Sequence, residues 1–260
     1  MKKLFSLLTS IALTFSSFNI GEASTKANAA SLRFAAQQRG TTIKFVPRQI
    51  REVNRRKRFT IKARYPQAVG AAGGLRLAKL NQELRKFIDK EVNKFRRDAG
   101  PPEERTSSSG STFESKYKVT YAEGDLISIA FLIEAYYEGA VHGSYNTIVF
   151  NYDLTSGKML KLADLFKPGA NYLKPISDYS IVSLRKEKEG VPDSDWIDGA
   201  APKLENYQSW NITREGLDIE FDPYQVGPYA EGPHEVLIPY SVLKDIINPA
   251  GPLARVIGKQ

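Results

Sequence analysis

Three stretches of patterned hydrophobicity between residues 113 and 154 constrain the fold more than any other feature of the chain. Residues 113–121 alternate apolar or aromatic with charged or polar side chains, which predicts a strand with one buried face. Residues 126–136 are apolar on both faces, which predicts a central strand that is covered on both sides. Residues 145–154 alternate again, with Ile148, Phe150, Tyr152 and Leu154 on the apolar face. Because the connections are short, we expect antiparallel neighbours in one sheet.

A helix at residues 75–98 is expected to cover one face of this sheet. Its apolar residues recur every three or four positions and form one stripe: Leu77, Leu80, Leu84, Phe87, Ile88 and Phe95. We expect Pro101 and Pro102 to stop this helix, and Pro47 to end a first strand at residues 41–46. Other strands are expected at 59–65, 207–212, 217–221 and 235–238, and other helices at 171–189 and, capped by Ser241, at 241–247. The predicted fold class is α+β, with antiparallel sheet or sheets, helices packed on them and two interlocked subdomains.

The N-terminus has the pattern of a secretory signal peptide. Lys2 and Lys3 precede an apolar run, and a polar spacer then ends in Ala27-Asn28-Ala29. The run is shorter than the ~20 apolar residues that a spanning helix needs, so we expect cleavage near Ala29. An uncleaved anchor is the alternative. The chain has no cysteine, which excludes thiolate metal sites and a thiol nucleophile. We therefore expect an extracytoplasmic protein, either periplasmic or secreted.

Basic residues are concentrated in the first part of the chain. Residues 30–98 hold 19 Lys or Arg and 5 Asp or Glu. We therefore divide the chain into the signal peptide (1–29), a basic α+β subdomain (30–110) and a C-terminal α+β domain (111–260). The cluster Arg55, Arg56, Lys57 and Arg58 is a candidate contact for an anionic polymer or for peripheral contact with an anionic surface. A solvated face is the alternative, and no nucleic-acid partner is expected.

Three pieces of the chain resemble a paired bacterial extracytoplasmic domain of unknown function. They are residues 63–67 with Asn81 in the following helix, residues 143–158, and residues 217–240, which include the run Phe-Asp-Pro-Tyr-Gln-Val-Gly-Pro-Tyr. In that family the pair forms the lysozyme-binding ectodomain of a membrane anti-sigma factor, or precedes the catalytic domain of a secreted peptidoglycan deacetylase. The resemblance covers about residues 41–248. It implies an α+β fold and binding at or near the cell wall, and we expect neither the signalling role nor the deacetylase activity.

Two loops rich in glycine, proline and tyrosine are the candidate binding regions. One carries His142 between two strands, and the other spans residues 222–233. Tyrosine offers apolar area and a hydroxyl group at a low entropic cost, which suits the recognition of proteins or sugars. We expect the two loops to lie together, with these candidate contacts: Tyr137, His142, Tyr145, Tyr224 and Tyr229. The alternative is that the loops pack on each other only to close the fold.

Catalysis is the less favoured interpretation of the same residues. His142 could transfer protons if Glu138 or Asp153 oriented it, which would make the protein a hydrolase of cell-wall polymer. A structural role for His142 is the other reading. The sequence has no Gly-x-Ser-x-Gly elbow and no His-x-x-His spacing, so we assign no catalytic residue, metal site or cofactor. Asp218 and Glu220 share a face of one predicted strand, which we interpret as a hydrated sheet face. The sequence thus favours a secreted, non-catalytic binding module whose partner is a protein such as lysozyme or the peptidoglycan.

Overall fold

The computed structural model describes residues 43–70, 74–99, 110–187 and 194–258. The strands are β1 (Lys44–Asn54), β2 (Phe59–Val69), β3 (Ser111–Glu123), β4 (Leu126–Tyr136), β5 (Ser144–Asp153), β6 (Lys158–Met159), β7 (Trp210–Ile212), β8 (Gly216–Phe221) and β9 (His234–Pro239). The helices are α1 (Gly74–Asp98), α2 (Leu173–Glu187), α3 (Ser194–Ile197), α4 (Tyr240–Leu243) and α5 (Ala254–Ile257). The predicted signal peptide and the predicted helix stop at residues 101–102 lie outside these ranges. No helix within them has the length and apolar character of a membrane span.

The described strands form two sheets, so the predicted α+β class is confirmed. The larger sheet has the order β1-β2-β3-β4-β5-β6, and the smaller one has the order β7-β8-β9. Neighbouring strands are antiparallel except β2 and β3, which pair in parallel. A parallel pair needs a long crossover, and α1 supplies it because the helix carries the chain back to the end at which β2 began. Strands from both sides of residue 110 share the larger sheet, and the division of the chain at that residue stays a prediction.

Helix α1 covers one face of the larger sheet, as its periodicity predicts. Its buried stripe packs on the apolar side chains of β2 to β5: Leu77, Leu80, Leu84, Ile88, Val92 and Phe95. Asn81 joins α1 to the end of β2, because its side chain accepts a hydrogen bond from the N–H of Ala68 (2.7 Å) and donates one to the carbonyl of Ala68 (2.9 Å). These bonds satisfy the backbone N–H and carbonyl groups of Ala68, which lies in the part of β2 beyond its pairing with β3.

The smaller sheet and α2 form a second core on the other side of the larger sheet. This core consists mainly of apolar side chains of β8, β9 and the elements around them, including Leu217, Ile219, Phe221, Val236, Ile238, Ile176 and Leu243. The two sheets meet at a buried polar junction. There, Ser128 donates to Asn151 (2.5 Å) and accepts hydrogen bonds from Asn211 (2.9 Å) and from the N–H of Ile212 (2.9 Å). Strand β4 is therefore covered on both sides, as the sequence predicts.

Two prolines lie within strands rather than at their ends. The sequence predicts that the first strand ends at Pro47, but β1 continues to Asn54 and pairs Pro47 with Pro66. Neither residue can donate a backbone hydrogen bond. Strand β1 is an edge strand, and β3 pairs only with Phe59–Ala63 of β2, so the missing donors interrupt no ladder. Edge position, which the sequence does not display, explains why the prediction was wrong.

Two further expectations are corrected by local geometry. A β-bulge between Val119 and Tyr121 breaks the predicted alternation of β3, so Tyr121 packs in the core of the smaller sheet instead of facing α1. Helix α4 begins at Tyr240 with Pro239 at its N-cap and no side-chain cap, so Ser241 does not cap it. Because the helix begins one residue earlier than expected, Ser241 lies within its first turn and not at the N-cap position.

Candidate binding face

Tyr229 is the centre of a group of aromatic rings at one edge of the larger sheet. The centroid of its ring lies 4.7 Å from that of His142, 5.3 Å from that of Tyr224 and 5.9 Å from that of Tyr145. We call these four residues the aromatic face. The structure therefore brings the two candidate loops together, as the sequence predicts for four of the five residues.

A single carbonyl group ties the two loops to each other. The carbonyl oxygen of Gly143 accepts a hydrogen bond from the hydroxyl of Tyr229 (2.9 Å) and lies 2.8 Å from Nδ1 of His142. Tyr145 is fixed independently as the second residue of β5. Tyr224 is 57% exposed and has a φ of 70°, which is uncommon for a residue other than glycine and occurs at turns and binding sites. The rings are thus held by backbone contacts while part of their surface stays accessible.

The aromatic face borders an open groove of about 450 Å³ on the side of the larger sheet that α1 leaves uncovered. Side chains of β3 and β4 form the floor, and two residues of the aromatic face, Tyr145 and Tyr229, form one wall. The floor residues are Thr112, Glu114, Leu132, Glu134 and Tyr136. Each of the two carboxylates is held by a lysine: Lys62 lies 3.1 Å from Glu114, and Lys116 lies 2.6 Å from Glu134. The groove therefore combines tyrosine rings with positioned hydrogen-bond acceptors.

Tyr137 is separate from the aromatic face. Its ring lies 5.4 Å from Phe95 and packs with the apolar side chains under α1. Burial there raises the pKa of its hydroxyl, with smaller contributions from Asp98 and Glu91. Tyr136 and Tyr137 follow one another along the chain, and of the two only Tyr136 lines the groove. We therefore leave Tyr137 out of the face.

The basic cluster forms the tip of the hairpin between β1 and β2. Arg55, Arg56 and Lys57 are exposed, whereas Arg58 is only 23% exposed at its side chain and adopts a φ of 54°. Its guanidinium donates two hydrogen bonds, of 2.9 Å and 2.8 Å, to the carboxylate of Glu138, which is 1% exposed. Arg58 thus joins the hairpin to the segment that leads to His142, while the other three cations face solvent.

The two acids expected to orient His142 for catalysis are both engaged elsewhere. Glu138 accepts the two hydrogen bonds from Arg58. Asp153 is the last residue of β5, the strand that the His142 loop enters at Ser144, and it lies 3.1 Å from Arg255. Burial alone would raise the pKa of Asp153, but the bonds from Arg255 and Thr155 outweigh it and lower that pKa. At roughly 3.4 Å per residue, nine steps of strand place Asp153 on the order of 30 Å from Ser144.

A group of carboxylates between the two sheets was not found by sequence reasoning. Asp218 is only 8% exposed, whereas Glu220 is half-buried, so the interpretation of their shared strand face as hydrated was wrong for Asp218. Burial, together with the neighbouring carboxylate of Glu235, raises the pKa of Asp218 to about 7. Burial also raises the pKa of Glu220, whose carboxylate accepts a hydrogen bond from the hydroxyl of Thr147.

The sequence contains only a weak indication of this group of carboxylates. Asp218, Glu220 and Asp222 lie at alternate positions of one segment, which is also how an exposed strand face looks. Packing against the larger sheet buries them wholly or in part: Asp218 lies beside Lys118 and Thr120 of β3, and Asp222 accepts a hydrogen bond of 2.9 Å from the N–H of Thr147 on β5. Within the described ranges, no group of three or more histidine or acidic residues is placed to hold a metal ion.

Comparison with known proteins agrees with this architecture. Residues 163–241 match a family described as "Protein of unknown function (DUF3298)". The chain is 29% identical over 197 residues to the peptidoglycan-N-acetylmuramic acid deacetylase PdaC of Bacillus subtilis (strain 168). That match covers 75% of this chain and 40% of the deacetylase, so the chain spans about two-fifths of the length of this relative. The resemblance to a domain of unknown function that the sequence predicts is thus confirmed.

Two solved structures show the same fold. A member of the DUF3298 family from Bacteroides fragilis NCTC 9343 superposes with a TM-score of 0.62 at 20% identity, covering 85% of this chain and 99% of that one. A DUF3298 family protein from Pseudomonas aeruginosa PAO1 gives a TM-score of 0.56 at 14% identity, covering 82% and 97%. At these identities the likeness concerns the fold alone.

Proposed function

We propose that this protein is an extracytoplasmic, non-catalytic module that binds a glycan strand of the cell envelope in the groove beside the aromatic face. The observation that carries the proposal is the meeting of Tyr145 and Tyr229 at a groove that also holds two carboxylates. The similarity to a peptidoglycan deacetylase supports a role at the cell envelope.

The chemistry of the groove suits a sugar. Pyranose rings have an apolar face of C–H groups that can lie on a tyrosine ring, and hydroxyl groups at the rim that donate to carboxylates. Glu134 and Glu114 pair with Lys116 and Lys62, and all four side chains are exposed enough for the carboxylates to remain accessible to a ligand. The groove volume of about 450 Å³ falls within the ~300–1,000 Å³ of small-molecule sites.

Binding is favoured over hydrolysis by the state of the candidate acids. Glu138 is bound by Arg58, and Asp153 lies at the far end of β5 beside Arg255. Nδ1 of His142 faces the carbonyl of Gly143, which is consistent with a role in holding the loop. Neither of the two acids that the hydrolase interpretation would use is therefore placed to orient His142.

The proposal is tested by co-sedimentation of purified residues 30–260 with insoluble peptidoglycan and by calorimetry with soluble N-acetylated glycan oligomers. Tyr145→Ala and Tyr229→Ala should each weaken binding at least about tenfold, which corresponds to about 1.4 kcal/mol. Val182→Ala, at an exposed position of α2, is the control. Tyr229→Phe keeps the ring without its bond to Gly143 and should retain most of the affinity.

Several outcomes would overturn the proposal. Absence of binding to both glycan forms would do so, as would binding unchanged in Tyr145→Ala. Capture of lysozyme without glycan binding would assign the face to a protein partner. Release of reducing ends that is lost in His142→Ala would make the protein a hydrolase.

A further inference from the structure

A second cleft lies on the same side of β3 as the groove, farther along that strand. It has a volume of about 260 Å³ and is lined by residues of β3, the β7–β8 turn, β8 and β9: Lys118, Val119, Thr120, Thr213, Glu215, Asp218, Glu235 and Leu237. Glu114 in the groove and Lys118 in the cleft are four residues apart on one strand face, which is about 13 Å. The two sites have no lining residue in common.

Asp218 gives this cleft an unusual property. Its Oδ1 is buried and accepts no hydrogen bond from any described residue. A buried acceptor without a donor costs stability, and such atoms in folded proteins usually have a partner. Glu235 lies close enough to interact with Asp218, but a proton shared by two carboxyl groups leaves further acceptor positions open. Oδ1 itself is closed off from solvent, so what Asp218 offers to a ligand in the cleft is the rest of its side chain.

The other walls show what kind of donor would fit. Lys118 is exposed and makes no hydrogen bond or ion pair with the described residues, but its charge acts on the nearby carboxylates of Asp218 and Glu220. The hydroxyls of Thr120 and Thr213 already donate to backbone carbonyls, at 3.1 Å and 2.8 Å. Val119 and Leu237 add apolar surface. The groups left for a ligand are thus carboxylates, one ammonium group and an apolar wall.

We propose that this cleft binds a small zwitterion, either a free amino acid or a dipeptide. Its ammonium group donates to Asp218 and Glu235, and its carboxylate pairs with Lys118. A metal ion fits less well, because the described residues include no group of three or more histidine or acidic side chains placed to hold one. The inference does not depend on the proposed glycan site, since it uses other residues and another ligand.

The test uses residues 30–260 and three probes: alanylalanine, which is a zwitterion, glycinamide, which has only the ammonium group, and propionate, which has only the carboxylate. Binding is followed by calorimetry and by backbone NMR shifts at Lys118 and Asp218. Alanylalanine should bind with a Kd of about 0.1–10 mM, in the range expected for a ligand of this size. Glycinamide and propionate should bind at least about tenfold more weakly, because each lacks one of the two charged contacts.

Variants separate this site from the groove. Asp218→Asn keeps the shape of the side chain, and Lys118→Met keeps its length, so both should fold while losing alanylalanine binding. Glu205→Gln, at an exposed turn, is the control for a change in charge. Glycan binding should be unaffected by Lys118→Met, so failure of one proposal is distinguishable from failure of the other.

The proposal is wrong if alanylalanine causes no shift at the cleft, or if Asp218→Asn binds it as well as the unsubstituted protein. Equal affinity for glycinamide and alanylalanine would also overturn it, by making the cleft a site for simple cations. If Asp218 titrates but none of the probes binds, Asp218 and Glu235 only share a proton and do not form a ligand site.

Discussion

At the scale of single residues, Asp218 shows how burial between two sheets changes acid–base behaviour. Its pKa of about 7 exceeds the ordinary value of about 3.9, because burial and Glu235 both disfavour the charged form. The folded state therefore binds this proton more tightly than the unfolded state. The stabilisation that protonated Asp218 contributes is fully present below about pH 4, and it is lost as the pH rises towards about 7.

Replacement of Asp218 by asparagine should remove this pH dependence. Above pH 7 the folded protein carries an ionised, buried Asp218, and the neutral amide of the variant would avoid that cost. The Tm of Asp218→Asn at pH 8 should therefore exceed that of the unsubstituted protein by several degrees. At pH 4 the two should melt at similar temperatures. Thermal unfolding by circular dichroism measures both, with Asp245→Asn as the exposed control. A constant difference across this range would contradict the assignment.

Arg58 differs from its three basic neighbours, and its substitution should show this. Arg58→Met removes two hydrogen bonds from the buried carboxylate of Glu138, so it should lower the Tm by several degrees. Arg55→Met, at the exposed tip, should leave the Tm almost unchanged. The double variant Arg58→Met with Glu138→Gln should recover part of the loss, because no uncompensated charge remains. Equal effects of Arg58→Met and Arg55→Met would show that the pair does not stabilise the fold.

At the scale of elements, the β1–β2 hairpin has a fixed base and an exposed tip. Gly110 allows the close approach of β3, since a Cβ atom there would clash with the carbonyl oxygen of Arg58. The same carbonyl accepts a hydrogen bond of 2.8 Å from the N–H of Ser111. The cations at Arg55, Arg56 and Lys57 are thus presented from a rigid base, as a contact with an anionic surface would require.

If the tip binds anionic surfaces, its three exposed cations should carry the salt dependence. Changing Arg55, Arg56 and Lys57 together to Gln should reduce binding to vesicles with anionic lipid at least about tenfold. The residual binding should depend less on salt, because exposed charges are screened over about 8–10 Å near physiological ionic strength. The matched control changes Lys90, Lys94 and Arg97 on α1 to Gln. Similar losses of vesicle binding in both triple variants would show that the binding depends on net charge and not on the hairpin tip.

The junction of the two sheets depends on one hydroxyl group. Ser128 is buried and serves three polar partners, on β5 and β7. Ser128→Ala should therefore lower the free energy of unfolding by about 1–3 kcal/mol, because it leaves buried polar groups without a partner. Ser241→Ala, at the exposed position that caps nothing, should change it by less than about 0.5 kcal/mol. Denaturant unfolding measures both, and equal effects would contradict the importance of the junction.

At the scale of the whole molecule, the described fold begins after the predicted signal peptide. The first strand starts at Lys44, so cleavage near Ala29 would leave every described element in place. We expect N-terminal sequencing of the natural protein to find a start near Ala30, in the extracytoplasmic fraction. A full-length product confined to the cytosol would contradict both the export and the proposed role at the cell envelope.

Local patterns in the sequence determined most elements of this fold. The alternation of β3 and β5, the apolar character of β4 and the stripe of α1 follow from the period of side chains along each element, which neighbouring residues alone express. The hairpin of β7 and β8, and the presence of tyrosines in two loops, were also visible. These features indicated an α+β fold and four residues of the candidate face.

Tertiary structure decided what depends on residues far apart in the chain. The parallel pairing of β2 with β3, the passage of β1 through Pro47 at a sheet edge, and the bond between Arg58 and Glu138 all join segments whose proximity no local pattern encodes. The same holds for Asp218: alternation places it on a strand face, but only the packing of the two sheets buries its side chain. Burial arises from contacts between elements, and with it come the raised pKa and the unsatisfied acceptor that define the second cleft.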